Sequence, residues 1–115
     1  MKTVLISEGN APPPAPLLDV IARGSTSVER RDAADLVHQS AMPDADRIVF
    51  WSAGSDAALR QLAMRYRTAE RRERREAIVF VSSAACDAIP GLTSAETYVW
   101  PQDQDRLMMA FLTGA

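Results

Sequence analysis

The chain has too little cysteine to be held by disulfides and too little histidine to be built around zinc. Cys86 is the only thiol and His38 the only imidazole in 115 residues. No intramolecular bridge can form, and no Cys/His spacing matches a zinc site. Long apolar runs are also missing, since nothing approaches the roughly 20 residues of a membrane span. The charge leans to neither sign. Lys and Arg total 13 against 15 Asp and Glu, a formal net charge of −2, which removes any global reason to expect nucleic acid or an anionic membrane as partner. There are no internal repeats and no GxGxxG or GxxxxGK phosphate loop.

What remains is enough for a core. At 47 % hydrophobic and 24 % charged, the chain reads as one globular domain over residues 1–115. A domain of this size hides roughly two-thirds of its unfolded surface. The opening "MKTVLIS" lacks a small-residue cleavage site and reads as a first strand rather than a signal peptide. The expectation is a cytoplasmic domain.

Three apolar runs share one pattern: "TVLIS" (Thr3 to Ser7), "RIVFW" (Arg47 to Trp51) and "AIVFVSS" (Ala77 to Ser83). They are continuous rather than alternating, as strands buried on both faces of a parallel sheet are. Two mixed runs, "STSVER" and "ETYVW", suit edge strands. Helical spacing marks Asp56 to about Arg75, with Leu59, Leu62, Ala63 and Tyr66 on one face and Ser55 or Asp56 as N-cap. Leu17 to Ala22 predicts a short first helix, with Pro16 in its opening turn and Gly24 beyond its end. Asp32 to Ser40 predicts a second helix with Ala33, Leu36 and Val37 inward, and Asp103 to Leu112 predicts a last one. Alternation of this kind means right-handed crossovers and a three-layer sandwich.

Several local patterns invite a functional reading and are outweighed by a plainer one. "SAGSDAA", with Gly54 at its centre, joins a strand to a helix N-terminus and could hold a phosphate; an ordinary N-cap explains it. Glu8 in "SEGN" stands where metal-dependent nucleases of the Toprim type keep a glutamate, but no later Asp-x-Asp completes a two-metal site. "RYRTAERRERREA" could contact phosphate, yet its interleaved glutamates and position at a helix end fit a solvated surface. "APPPAP" reads as a stiff loop more readily than as a polyproline ligand. His38 has no partners suggesting a triad. Cys86 has no basic neighbour in sequence to lower its thiol pKa and reads as a small buried residue.

The ordered set "MKTVLISEGN", "DADRIVFWSAG", "IVFVSSA" and "TYVWPQDQDRLMMAFL" resembles, across nearly the whole chain, the receiver domain of two-component response regulators. The last segment is the most specific, with Pro101 followed by an acidic and then apolar helix start. The resemblance implies a flavodoxin-like α/β/α sandwich around a five-stranded parallel sheet of order 2-1-3-4-5. The connection from Ser82 to Trp100 is short, so the fourth helix of that fold is expected to be short or absent. Carried over residue by residue, the acidic pair falls on Ser7 and Glu8, the phosphoacceptor on Trp51, the hydroxyl on Ser82, and the lysine on Trp100 with Pro101 retained.

That substitution pattern is degenerate. Aspartyl phosphorylation needs a nucleophilic carboxylate, a divalent ion held by hard oxygens, and a cation for the developing charge. Trp51 cannot be phosphorylated, Glu8 alone is a poor magnesium cage, and no cation stands at Trp100. The expectation is therefore a phosphorylation-independent protein-interaction module with no cofactor, no metal and no catalytic constellation. The family's habit implies a homodimer through the last strand and helix. The alternative is a domain binding a nucleotide or anion at the carboxyl edge of the sheet, where open α/β sheets place their sites. There Ser7, Ser52, Gly54, Ser55, Ser82 and Ser83 would supply donors and a tryptophan would stack on a ring. The two readings differ in whether Trp51 and Trp100 plug the edge or present an aromatic surface.

Overall fold

The computed structural model describes residues 2–8, 12–38, 45–53, 57–73, 77–83, 92 and 96–113, with positions 57, 67–73, 77, 112 and 113 described for their backbone alone. Nine elements follow in order: β1 (Lys2–Ser7), α1 (Ala15–Arg23), β2 (Ser27–Asp32), α2 (Ala33–Val37), β3 (Arg47–Ser52), α3 (Ala57–Glu73), β4 (Ala77–Ser82), β5 (Thr97–Val99) and α4 (Gln104–Thr113). All strand pairings are parallel and the order is β2-β1-β3-β4-β5. This is the expected sheet. The expected shortening of the family's fourth helix concerns residues between Ser83 and Glu96, which lie mostly outside the described residues.

The continuous apolar runs become the three central strands because both faces of the sheet are covered. Alternate residues divide them between two cores. Val4, Ile6, Ile48, Phe50, Ile78 and Phe80 pack under α2 and α3, which contribute Leu36, Leu59, Leu62 and Tyr66. Leu5, Val49, Trp51, Val79 and Val81 pack on the opposite face under α1 and α4, which contribute Leu17, Ile21, Leu107 and Phe111. The Phe50 ring stacks on Phe80 at 5.9 Å between centroids and meets Tyr66 at the same distance.

Element boundaries differ from the sequence expectation where side chains take local roles. The first helix starts earlier, at Ala15, with Pro14 extended at its N-cap (φ −66°, ψ 148°) and Pro16 in the opening turn. The second edge strand runs Ser27–Asp32 rather than from Ser25, because Ser25 finishes α1 instead. Its hydroxyl donates to the Ile21 carbonyl (2.7 Å) and pairs with Thr3 Oγ1 (2.6 Å). Strand β2 then passes into α2 without a loop. Asp32 ends the strand and caps the helix, its Oδ1 accepting the Ala34 N–H at 2.9 Å. Helix α2 stops at Val37 with His38 exposed as its C-cap, so the described helix is five residues, shorter than the predicted reach to Ser40.

Two residues at the amino edge of the sheet tie α1 to α4. Gly24 caps α1 at φ −92°, a backbone any residue adopts. Glycine is needed there for space: a Cβ would lie 2.6 Å from the Phe111 Cβ. Arg47, which opens β3, is only 1 % exposed. Its guanidinium lies 4.1 Å from the centre of the Phe111 ring, with Nη1 3.5 Å from the Gly24 carbonyl oxygen. Burial lowers the proton affinity of this group, but arginine stays charged. Gly24 caps the C-terminal end of α1, so the negative end of that helix faces this cation.

Candidate functional site at the carboxyl edge

Residues Ser7, Ser52 and Ser82 are the last of β1, β3 and β4, and all three are buried. Trp51 and Trp100 are 5 % and 8 % exposed and belong to one apolar cluster beneath α1 and α4. The Trp100 N–H donates to the Ser82 carbonyl at 2.7 Å, which fixes the chain leaving β5 against β4. The peptide bond between Trp100 and Pro101 is cis, and Pro101 is exposed.

The register divides the residues that the sequence grouped together. Trp51 stands opposite Val81, whereas Ser52 stands opposite Ser82. Since neighbours along a strand point to opposite faces, the indole of Trp51 enters the α1/α4 core. The Ser52 and Ser82 hydroxyls lie side by side on the α3 side. Ser83 links the two strand ends, its N–H donating to the Ser52 carbonyl and its Oγ to the Ala53 carbonyl, both at 2.9 Å. Glu8 follows β1 and is half-buried. Gly54, Ser55 and Cys86 lie outside the described residues, as does the expected N-cap of α3.

The indole of Trp51 carries a cost. Its Nε1–H is buried with no acceptor, and the Tyr66 hydroxyl is the other orphan among the described side chains. Burial raises the Tyr66 phenol above its ordinary range, against the opposing influence of Arg65 and Arg31. Such an orphan forfeits about 1–3 kcal/mol of desolvation.

A polar arrangement beside Trp100 was not anticipated. The Val99 N–H donates to Asp103 Oδ2 (2.8 Å), while the Asp103 N–H donates back to the Val99 carbonyl (2.7 Å). Arg106 Nη2 donates to the Thr97 carbonyl (2.8 Å) and to Asp103 Oδ2 (3.3 Å), and the guanidinium lies 4.1 Å from the centre of the Tyr98 ring. The Val99 amide, with help from Arg106, holds the Asp103 carboxyl below the usual carboxylate range. An aspartate just before a helix with arginine three residues on is the signal that sequence offered for it.

Other patterns take plain roles. Pro13 is buried and the helix begins at Ala15, so "APPPAP" does not continue as one extended polyproline ligand. The arginine run begins in α3, where Arg65 Nη2 donates to the Val37 carbonyl (3.3 Å) and Tyr66 is buried; from position 67 on its side chains lie outside the described ones. Among the described residues, no group of three or more His, Cys, Asp or Glu could hold a metal ion. No described helix is long and apolar enough to cross a membrane.

The strand order and the helices on both faces define a flavodoxin-like α/β fold. Comparison adds no family: no family model matches the chain, and neither the curated proteins nor the solved structures give a match.

Proposed function

We propose that this chain is a cytoplasmic protein-interaction module, similar to a response-regulator receiver but independent of phosphorylation, and not an enzyme. One observation carries the reading. At the positions that the resemblance equates with the phosphoacceptor and the lysine stand two tryptophans, both more than nine-tenths buried within a single apolar cluster. Apolar area takes the place of a charged reaction centre there, and neither indole can accept or neutralise a phosphoryl group. Regulation in such a module comes from what docks on it.

Intrinsic fluorescence tests this, because Trp51 and Trp100 are the only two tryptophans. The chain is titrated with magnesium plus beryllofluoride, then with nucleotides and inorganic phosphate, and each emission spectrum is followed by iodide quenching. The expected result is no saturable change and weak quenching. A saturable change with a nucleotide or phosphate would overturn the reading in favour of a ligand site built on the Ser52 and Ser82 hydroxyls. A saturable change with beryllofluoride would restore a phosphoryl-accepting site.

A further inference from the structure

A five-stranded open sheet has two edges, and this one treats them differently. The β5 edge is closed by its own helix: Asp103 occupies the N–H and C=O of Val99, and Arg106 occupies the C=O of Thr97. Among the described residues, the β2 edge has no such cover. The Asp46 N–H donates to the Lys2 carbonyl (2.9 Å), so in the alternating ladder the even residues of β1 bond β3 and the odd ones bond β2. With Val4 opposite Glu29, the backbone of Glu29 and Arg31 turns toward β1, and that of Val28 and Arg30 turns outward. Neither Val28 nor Arg30 has a hydrogen-bond partner among the described residues.

The side chains along this edge are selective. Val28 and Arg30 share the face that carries α1. Val28 is 38 % exposed, one of three large hydrophobic side chains exposed among the described residues. Arg30 is exposed and enters no ion pair with a described residue. The other charges of the strand are already engaged: Glu29 pairs with Arg31 at 3.2 Å, and Asp32 caps α2. Among the described residues, one unspent positive charge therefore sits two residues from an exposed valine, beside an open row of main-chain donors and acceptors.

We propose that β2 is a docking edge for an extended acidic segment of a partner protein. The segment adds a sixth strand by main-chain bonds to Val28 and Arg30, with a carboxylate facing Arg30 and an apolar side chain beside Val28. Charged edges ordinarily keep other strands away; here Arg30 repels basic segments and admits acidic ones. A second copy fits less well. Antiparallel registers that pair most of the strand set Glu29 against Glu29 or Arg30 against Arg30, and head-to-tail growth needs the β5 edge that α4 closes. This inference rests on the interaction-module reading and names the chemistry of its partner.

The test is amide NMR on the full chain with two short synthetic peptides, one alternating valine and glutamate with threonine, the other with lysine in place of glutamate. The glutamate peptide is expected to shift the Val28 and Arg30 amides saturably and protect them from exchange. Arg30→Glu should weaken that binding by about tenfold or more and confer binding of the lysine peptide. Arg30→Pro removes an N–H that the β1 ladder does not use and should abolish binding of both; should that variant fail to fold, the charge swap decides alone. Absence of saturable shifts at millimolar peptide overturns the proposal. So do shifts confined to α4 around Met109, which is 60 % exposed, although the interaction reading would then survive with a different surface. Protection of Val28 and Arg30 in the free chain at high concentration also overturns it, by making a second copy the occupant.

Discussion

Replacing Gly24 with alanine sets two known effects against each other, and the sign of the outcome identifies which governs. The backbone at Gly24 (φ −92°, ψ 9°) suits alanine. Entropy of the unfolded chain alone would then make Gly24→Ala stabilising by about 0.4–1 kcal/mol. The structure opposes this with a collision. The new methyl would lie 2.6 Å from the Phe111 Cβ, 3.0 Å from its Cδ1 and 3.1 Å from its Cγ. A Cβ is fixed to its helix, so no rotamer change relieves the first contact. Helix α4 must move from α1, loosening the Arg47 stack on Phe111 as it does. Overpacking of this kind costs about 1–3 kcal/mol, so the net expectation is destabilisation by about 0.5–2 kcal/mol. At about 4 °C per kcal/mol for a domain of this size, the melting temperature should fall by about 2–8 °C. Urea unfolding followed by far-UV circular dichroism measures it directly, and Trp51 and Trp100 report the same core by fluorescence. In a Phe111→Ala background the penalty should shrink without vanishing, because the Cβ remains. A Gly24→Ala protein as stable as the parent, or more stable, refutes the claim that glycine is kept there for space.

Two further outcomes are expected. Tyr66→Phe removes a buried hydroxyl that lacks a partner while leaving the ring against Phe50, so urea unfolding should show stability unchanged or raised by about 1 kcal/mol. A loss of that size would mean the hydroxyl is satisfied. Asp103 has its folded pKa depressed, chiefly by the Val99 amide. Its contribution is therefore present above the unfolded value of about 3.9 and is lost as pH falls through the lower folded value. Stability curves of the parent and Asp103→Asn should separate at neutral pH and converge on acidification below pH ~3; a constant gap would place the effect elsewhere.

The residues of the carboxyl edge were legible in sequence as a set but not as a geometry. Ser7, Trp51, Ser82 and Trp100 could be assigned to strand ends from the runs that precede them. Which face each side chain takes depends on register: the pairing of Ser52 with Ser82 puts Trp51 on the far side from those two hydroxyls, while Ser7 shares the face of Trp51. The Asp103 and Arg106 closure escaped notice because its acceptors and donors are main-chain groups, which every sequence possesses. Arg47 stands in a run that reads as a buried strand, but nothing local announces that Phe111 and Gly24, far away along the chain, would cover its guanidinium.

The sequence by itself determined the alternation of strands and helices and the continuous burial of β1, β3 and β4. These are properties of composition and period within single segments. Among the described residues, tertiary structure alone decided the glycine at position 24, the buried arginine, the orphaned Trp51 and Tyr66 polar atoms and the contrast between a closed β5 edge and an open β2 edge. Each of these is a relation between residues distant in the chain, set by the close packing of elements whose individual patterns carry no record of their neighbours.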